Sequence, residues 1–305
     1  MLEYAASGPC RLIEGRGEGR GWWRRLAVFG AVGRLPTVAA GTSAAVLDYI
    51  VSIWKCRNFW LCLVVNDLHL RYRRSVLGVG WSLLHPLATT LVLGTVFHEI
   101  FHQPIREYLP YLLCGLACWS YITGVVSGGC QTYIQAESYI RQHPLPLAVY
   151  PLRTTLGVMI HFLIALTLVI ILSLGLRTWD RAPDPLSLLM AVPVLIAFGW
   201  AMGILAGYIN VAFRDTQHVM DVVFQILFYI TPIIYPANSL KGTRFGWLLA
   251  YNPLVPLIDL VREPLIAGHP ASWDSWSSAI LTTLIVGLIA ALSLSYQQRR
   301  VVLFL

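Results

Sequence analysis

The sequence predicts an all-α integral membrane protein with six transmembrane helices. Of its 305 residues, 57% are hydrophobic and only 12% are charged, and the mean hydropathy is +0.65. A soluble domain carries about 25% charged residues. The apolar residues also cluster into stretches of about 20, the length that a helix needs to cross the hydrocarbon core of a bilayer.

Six stretches have this length and composition, and polar or proline-rich breaks separate them. The breaks include Gln103 to Glu107, Arg141 to Pro151 with three prolines, Arg177 to Pro185 with two, and Asn210 to Asp215. Proline inside a helix removes a backbone donor, so these segments end helices. The predicted spans are 79–101, 108–130, 153–175, 186–209, 219–237 and 277–296.

The distribution of lysine and arginine predicts that both termini are cytoplasmic. Counted from Lys55, the segments that this orientation places inside hold ten Lys and Arg residues, against six outside. Cytoplasmic loops are enriched in these residues. We therefore expect Arg74, Arg141, Arg214 and Arg299 inside, and Glu107, Asp180 and Lys241 outside. The net charge of +7 is explained by topology and anionic lipid, so we expect no nucleic-acid partner.

The chain before the first span divides into two regions. Residues 1–43 are expected to be a disordered extension, and 44–78 a cytoplasmic segment ahead of the six-span transmembrane domain, 79–305. Within it, residues 46–69 place their polar side chains on one narrow arc of a helix, which predicts an amphipathic helix in the inner interface. The alternative is a seventh span, but Lys55 and Arg57 would each cost roughly 2.5–3.5 kcal/mol at the bilayer centre.

The segment from 238 to 275 is apolar but interrupted by prolines, as in Asn252 to Asp259. It is too short and too broken to span the membrane. We expect a re-entrant or interfacial pair of short helices on the outer side, because irregular backbone at membrane depth needs cover from protein or water.

His98, Glu99 and His102 form an H-E-x-x-H pattern. On a helix, the two histidines share one face and can bind Zn²⁺, with the glutamate as general base. An intramembrane zinc metalloprotease is therefore a competing hypothesis, with Asp259 as a third ligand. The alternative is that these polar residues decorate the interfacial end of the first span, and on that interpretation the chain holds no metal.

No G-x-x-x-x-G-K-[ST] motif occurs in the sequence. An ATP-binding P-loop needs that glycine-rich cradle and its lysine. If this chain belongs to an active transporter, ATP must be bound by a different chain, and we expect neither a cofactor nor an enzymatic site here.

Several segments resemble the permease subunits of ABC transporters that export polysaccharides, the O-antigen, capsule and teichoic-acid exporters. Asp67 to Pro86, in which a cluster of arginines precedes Gly78, Gly80 and Trp81, is similar to the opening of that family's first span. Asn210 to Asp215 resembles the turn before its fifth span, and Tyr229 to Pro236 the proline-bearing end of that span. The resemblance covers about residues 45 to 300.

The resemblance implies a homodimer that pairs with two copies of an ATP-binding subunit. It implies outward movement of a lipid-linked surface polysaccharide across the bacterial inner membrane, with a drug or lipid exporter of the same permease class as the alternative.

Two sets of site residues follow. Glu137 to Pro146 is the largest cytoplasmic break between spans, and Glu137 and Arg141 are spaced to pair on a short helix. This segment and the basic residues of the other inner segments are expected to couple the permease to the ATPase. The coupling residues are Glu137, Tyr139, Arg141, Arg71, Arg73, Arg74, Arg214 and Asp215.

Aromatic residues within the spans could line a path for a glycan, since sugars stack on aromatic faces; helix packing and interfacial belts are the alternative. The candidates are Trp119, Tyr121, Phe228 and Tyr229, with Trp200 and Phe224 considered beside them.

Overall fold

A computed structural model describes residues 43–72, 80–142, 145–176, 178, 182–236 and 246–304. Within them the secondary structure is helical, without a strand, which confirms the predicted fold class. The helices are α1 Ser43–Lys55, α2 Arg57–Tyr72, α3 Gly80–Ile100, α4 Ile105–Gln135, α5 Glu137–Gln142, α6 Val149–Leu176, α7 Pro185–Ala212, α8 Thr216–Ile230, α9 Gly246–Tyr251, α10 Leu254–Arg262 and α11 Trp273–Phe304, and a π-helical turn, Glu263–Ala267, follows α10.

Five of the described helices are long and apolar enough to cross a membrane: α3, α4, α6, α7 and α11. They correspond to five of the six predicted spans. Local chemistry sets their boundaries, as at α7, where Asp184 accepts a hydrogen bond from the Leu186 N–H and Pro185 occupies the first helical position. Both features favour a helix start.

The fifth predicted span, 219–237, forms a shorter helix than expected. Helix α8 has 15 residues, about 22 Å in length, and it ends seven residues before the predicted boundary. Proline restricts the residue before it to extended backbone, and Thr231 before Pro232 is extended. The total of six spans stays a prediction.

The amphipathic segment 46–69 is two helices rather than one. Helices α1 and α2 are separated at Cys56. Tyr49 and Ile53 of α1 and Leu63 and Val64 of α2 are buried against the bundle. Both helices therefore pack on the bundle. Whether they lie in the membrane interface stays a prediction. The expected N-terminal extension falls on residues outside the described ones.

The segment after α8 does form two short helices, α9 and α10. Pro253 and Pro256 lie at the start of α10, where proline is tolerated because those N–H groups have no partner within the helix. Gly268, with φ 66°, ends the π-helical turn, as glycine commonly does. Whether these helices are re-entrant stays a prediction.

Helix α4 is the centre of the bundle. It packs on α3, α6, α7, α8 and α10, and it is the most buried of the five long helices, whereas few residues of the apolar stretches of α3 and α11 are buried. Its crossing with α7 is close because a Cβ at Gly129 would lie 2.7 Å from the Gly203 Cα. Small residues at such crossings let helix backbones approach in a membrane.

We expect Gly129→Ala to lower the stability of the protein by about 1–3 kcal/mol, the usual range for overpacking. The added methyl meets backbone atoms of α7 rather than a movable side chain. Thermal unfolding of purified protein in detergent measures the effect. Gly157→Ala is the matched control, because no atom lies within 4 Å of its new Cβ; equal melting temperatures for both variants would contradict the close crossing.

Candidate translocation groove and coupling surface

Helices α4 and α8 run antiparallel and form a continuous seam. At one end the Gln131 side chain donates a hydrogen bond to the Gln217 side chain. Near the other end of α8, and at the middle of α4, the rings of Phe228 and Trp119 lie 5.6 Å apart. The seam therefore extends along most of the length of α8.

A groove of about 190 Å³ opens along this seam. Its lining combines aromatic and apolar side chains with hydroxyl, amide and carboxylate groups. The lining residues are Trp119, Thr123, Val126, Ser127, Met220, Asp221, Phe224 and Gln225. Binding sites for small ligands typically have such a mainly apolar wall with a few polar groups.

The polar groups of the groove come from two facing stripes. On α8, Gln217, Asp221 and Gln225 recur every four residues, so they share one helix face. On α4, Thr123, Ser127 and Gln131 have the same spacing. The sequence analysis missed these stripes, although the four-residue spacing of polar residues in two apolar helices was the signal that could have revealed them.

Asp221 is exposed in the isolated chain. A carboxylate in contact with lipid is costly, so ionisable residues within membrane segments face protein or a water-filled cavity. On the same helix, Val222, Ile226 and Tyr229 expose more than half of their surface. The exposed face of α8 therefore combines a carboxylate with apolar side chains that nothing in the described chain covers.

The structure brings three of the predicted path aromatics together. Trp119 packs on Phe224 at 5.8 Å and on Phe228 at 5.6 Å, and Phe228 packs edge-on against Tyr229 at 5.4 Å between ring centroids. Tyr229 is 66% exposed. Together they form an aromatic cluster that begins at the groove and continues to the surface of α8.

Tyr121 lies elsewhere. It is 1% exposed, donates a hydrogen bond of 2.7 Å to the Leu195 carbonyl and packs on Phe162. Tyr121 therefore packs helices together, which is the alternative role considered for the aromatic residues. Trp200 likewise donates to the Ala148 carbonyl at 2.8 Å, away from the groove.

The short helix predicted within Glu137 to Pro146 is present as α5. Its Glu137 and Arg141 side chains form an ion pair of 2.9 Å between successive turns, and both are substantially exposed. The Tyr139 ring contacts the Phe59 ring of α2 edge-on at 6.4 Å. Helix α5 thus presents a charged surface and is held against α2 by an aromatic contact.

Arg214 and Asp215 lie exposed in the turn between α7 and α8. The Gln131–Gln217 hydrogen bond places this turn at the same end of the bundle as α5. Of the remaining predicted coupling residues, Arg73 and Arg74 and the side chain of Arg71 lie outside the described part of the chain.

Two contacts hold the N-terminal end of α6 against the helices before the first span. Arg153 makes a bidentate salt bridge with Asp67 of α2, through its Nε and Nη2. At the segment before α6, the Ala148 N–H donates to the Tyr49 hydroxyl at 3.3 Å. Burial raises the pKa of Tyr49 to about 12, so this hydroxyl stays protonated and accepts the bond at neutral pH.

The H-E-x-x-H pattern does not form the arrangement that a zinc protease needs. Helix α3 ends at Ile100, and His102 has a φ of 50°, in the left-handed region. His98 and His102 therefore do not occupy successive turns of one helix. In the described residues no three His, Cys, Asp or Glu side chains group as metal ligands.

The sequence model of the ABC-2 type transporter family matches residues 57–266. The chain belongs to this family. The match begins at α2 and ends in the π-helical turn after α10, so it includes both sides of the groove and α5. Membership of this family confirms the resemblance identified from the sequence. It also shows that the chain is a multi-pass membrane protein with a transport role.

Similar curated proteins include polysaccharide-export permeases. The chain is 28% identical over 213 residues to the O-antigen export system permease protein RfbA of Klebsiella pneumoniae, covering 68% of this chain and 80% of that protein. It is 28% identical over 209 residues to the protein of the same name from Myxococcus xanthus, with 68% and 79% covered. It is 23% identical over 232 residues to the polysialic acid transport protein KpsM of Escherichia coli, with 74% and 89% covered.

We expect Asp67→Asn to destabilise this ABC-2 protein by about 1–3 kcal/mol, because it leaves the half-buried Arg153 guanidinium without its charged partner. Thermal unfolding in detergent measures the loss. Glu137→Gln is the matched control: its ion pair with Arg141 is exposed, and its loss should change stability by no more than about 0.5 kcal/mol. The double exchange Asp67→Arg with Arg153→Asp restores an ion pair, so it should be more stable than Asp67→Asn. Equal losses of stability in Asp67→Asn and Glu137→Gln would contradict a stabilising role for the Asp67–Arg153 salt bridge.

Proposed function

We propose that this chain is the permease subunit of an ATP-driven exporter that moves a lipid-linked surface polysaccharide outward across the bacterial inner membrane. The observation that carries the proposal is the groove between α4 and α8, with its aromatic wall and two polar stripes. Sugar rings present apolar faces for stacking and hydroxyl groups for hydrogen bonds, and this lining offers a partner for each. The relatives named for O-antigen and polysialic acid export support a glycan over a drug or a simple lipid.

The permease acts as a homodimer in this proposal. The exposed apolar faces of α3 and α8 can contact lipid, but Asp221 on α8 needs water or protein rather than lipid. A second copy related by two-fold symmetry provides both, since it places two grooves around one shared aqueous space. Trp119, Phe228 and Tyr229 would then line the path, with Asp221 and Gln225 as hydrogen-bonding groups.

ATP is bound by a separate subunit, present in two copies, that docks at the cytoplasmic end where α5 lies. Family membership implies such a partner, and the sequence holds no P-loop of its own. Helix α5 is suited to transmit motion. Its exposed ion pair is available for docking, and its Tyr139 ring contacts Phe59 of α2. Helices α1 and α2 are in turn bonded through Tyr49 and Asp67 to α6 and the segment before it. Arg214 and Asp215 add charged groups at the same end.

We expect Arg141→Glu to weaken co-purification of the ATPase and to lower permease-stimulated ATP hydrolysis. The change reverses a charge on an exposed surface, so membrane insertion and thermal stability should be retained. Co-purification yield and ATPase rate of the reconstituted complex measure the effect.

Glu99→Gln is the matched control for Arg141→Glu. Glu99 is 80% exposed and lies before α4, at the opposite end of that helix from α5, so this variant should bind the ATPase and export normally. Normal complex formation by Arg141→Glu, together with disruption by changes at Arg71 to Arg74, would move the coupling role to the segment before the first span.

We expect Asp221→Leu and Trp119→Ala each to lower export by about tenfold or more, the scale of one lost charged hydrogen bond or one lost aromatic contact. ATPase association should be unchanged, because neither side chain belongs to α5 or to the turn between α7 and α8. Surface polysaccharide on intact cells measures export. Val222→Leu, a neighbouring change outside the groove, should export normally; full export by both groove variants would show that the path runs elsewhere.

A further inference from the structure

The groove along the α4/α8 seam carries formal charge of one sign only. Among the described residues that line it, Asp221 is the single acidic side chain, and neither lysine nor arginine contributes to the wall. The other lining groups are aromatic rings, aliphatic chains, hydroxyls and an amide. A chain that passes through the groove therefore meets a carboxylate and no compensating cation.

The Asp221 carboxylate belongs to the seam rather than to the outer face of α8. It lines the groove and is exposed, and it lies near enough to Cys130 of α4 to act on it electrostatically. One turn before it on the same helix face, Gln217 bonds to Gln131 of α4, and one turn after it, Gln225 also lines the groove. The negative charge is thereby presented to whatever occupies the groove.

The helices that form the seam contain no cation to offset this charge. Between residues 108 and 136, α4 has no Lys, Arg, Asp or Glu. In α8, Asp221 is the only residue of these four types, and His218 of that helix does not line the groove. Arg214 and Asp215 are adjacent in the turn before α8, so their opposite charges offset each other at that end.

The arginine at the other end of the seam serves helix packing. Arg262 is 7% exposed, and its Nη1 donates to the Pro232 carbonyl at 2.9 Å and to the Tyr111 hydroxyl at 3.0 Å. It lies so close to α4 that a Cβ at Gly115 would overlap its Nη2. Asp259, one turn earlier on α10, carries the opposite charge and acts on the same part of α4. Asp221 therefore sets the net charge that the groove presents.

The uncharged part of the wall has the same preference. The rings of Trp119 and Phe224 lie 5.8 Å apart in the lining. The face of an aromatic ring carries partial negative charge, so it favours the apolar C–H face of a sugar or a cation over an anionic group. The Ser127 hydroxyl and the Gln225 amide line the groove and can both donate to and accept from sugar hydroxyls.

We propose that the groove selects a polysaccharide whose repeating sugars are uncharged, and that Asp221 is the residue that rejects acidic glycans. Such selection rests on the proposed function, because it needs a glycan in the groove, and it concerns the repeating sugars rather than the lipid-linked end. The carboxylate accepts hydrogen bonds from the hydroxyls of a neutral sugar, whereas a sugar acid places a like charge beside it. Juxtaposed like charges suppress the wrong partner.

The test compares two probes that differ in charge. One is a radiolabelled linear hexasaccharide of glucose, and the other is the same hexasaccharide with the primary alcohol of each ring oxidised to a carboxylate. Full-length protein is placed in nanodiscs of zwitterionic lipid, so that lipid charge does not repel the acidic probe. Equilibrium dialysis measures the Kd of each probe, and nanodiscs without protein give the background.

We expect the wild type to bind the neutral probe at least about tenfold more tightly than the carboxylated probe. Two like charges about 4 Å apart lower affinity about fivefold in bulk water and up to about a thousandfold at the lower dielectric constant near a protein surface. Asp221→Asn keeps the side-chain shape and one acceptor oxygen, so the ratio of the two Kd values should fall at least about fivefold, mainly through tighter binding of the carboxylated probe.

Two further variants bracket this result. Gln225→Glu adds a second carboxylate to the lining and should raise the ratio above that of the wild type. Val222→Leu lies outside the lining and should keep the wild-type ratio. Salt gives a measure that needs no variant: raising the ionic strength from about 0.01 M to about 1 M shortens the Debye length from about 30 Å to about 3 Å, so the wild-type ratio should fall toward one.

Equal Kd values for the two probes in the wild type, or tighter binding of the carboxylated one, would overturn selection by charge and leave the groove as a glycan site. A ratio that neither salt nor Asp221→Asn changes would overturn the role of Asp221. Binding of neither probe by the wild type would instead contradict the groove as a glycan path, and with it the proposed function.

Discussion

The cost of placing polar groups in hydrocarbon governs the arrangement of this protein. Within a bilayer, each polar side chain must find a partner in the protein or in a water-filled space. The Gln131–Gln217 hydrogen bond satisfies this requirement inside the chain, and so does the hydroxyl of Thr123, which donates to the Trp119 carbonyl at 2.9 Å. Asp221 and Gln225 stay exposed. The unsatisfied part of the seam is therefore also the part with chemistry to offer a polar substrate.

The two ends of the bundle are built on different principles. At the α5 end, the Asp67–Arg153 salt bridge and the Tyr49 hydroxyl bond pair each group with a suitable partner. Such ties favour movement as one body. At the far end, the buried Arg262 donates to the Pro232 carbonyl and to the Tyr111 hydroxyl but keeps two donors without partners in the described chain. Helix α10 is held there by apolar packing as well, since Leu257, Ile258 and Leu260 are almost fully buried.

The competing interpretation of the sequence illustrates why a motif depends on its backbone. H-E-x-x-H places two histidines on one face only where the helix continues through all five residues. Here α3 ends at Ile100, and His102 adopts a left-handed conformation before the next helix starts at Ile105. The two histidines are thereby separated by a change of chain direction, and the chain's membership of the ABC-2 type transporter family accounts for the surrounding sequence.

The sequence by itself determined the fold class, most of the helices and the family. Long apolar stretches bounded by prolines and charges specify spans locally, because each residue's preference for hydrocarbon acts independently of the partner helix. The same local rules gave α5 and its Glu137–Arg141 pair. Tertiary structure decided what depends on which faces meet. It set Tyr121 against Leu195 rather than in the groove, aligned the polar stripes of α4 and α8, divided the segment 46–69 at Cys56, and buried Arg262 against Gly115. Apart from the break at Cys56, these outcomes depend on contacts between residues about 75 to 150 positions apart, which a pattern within one helix cannot specify.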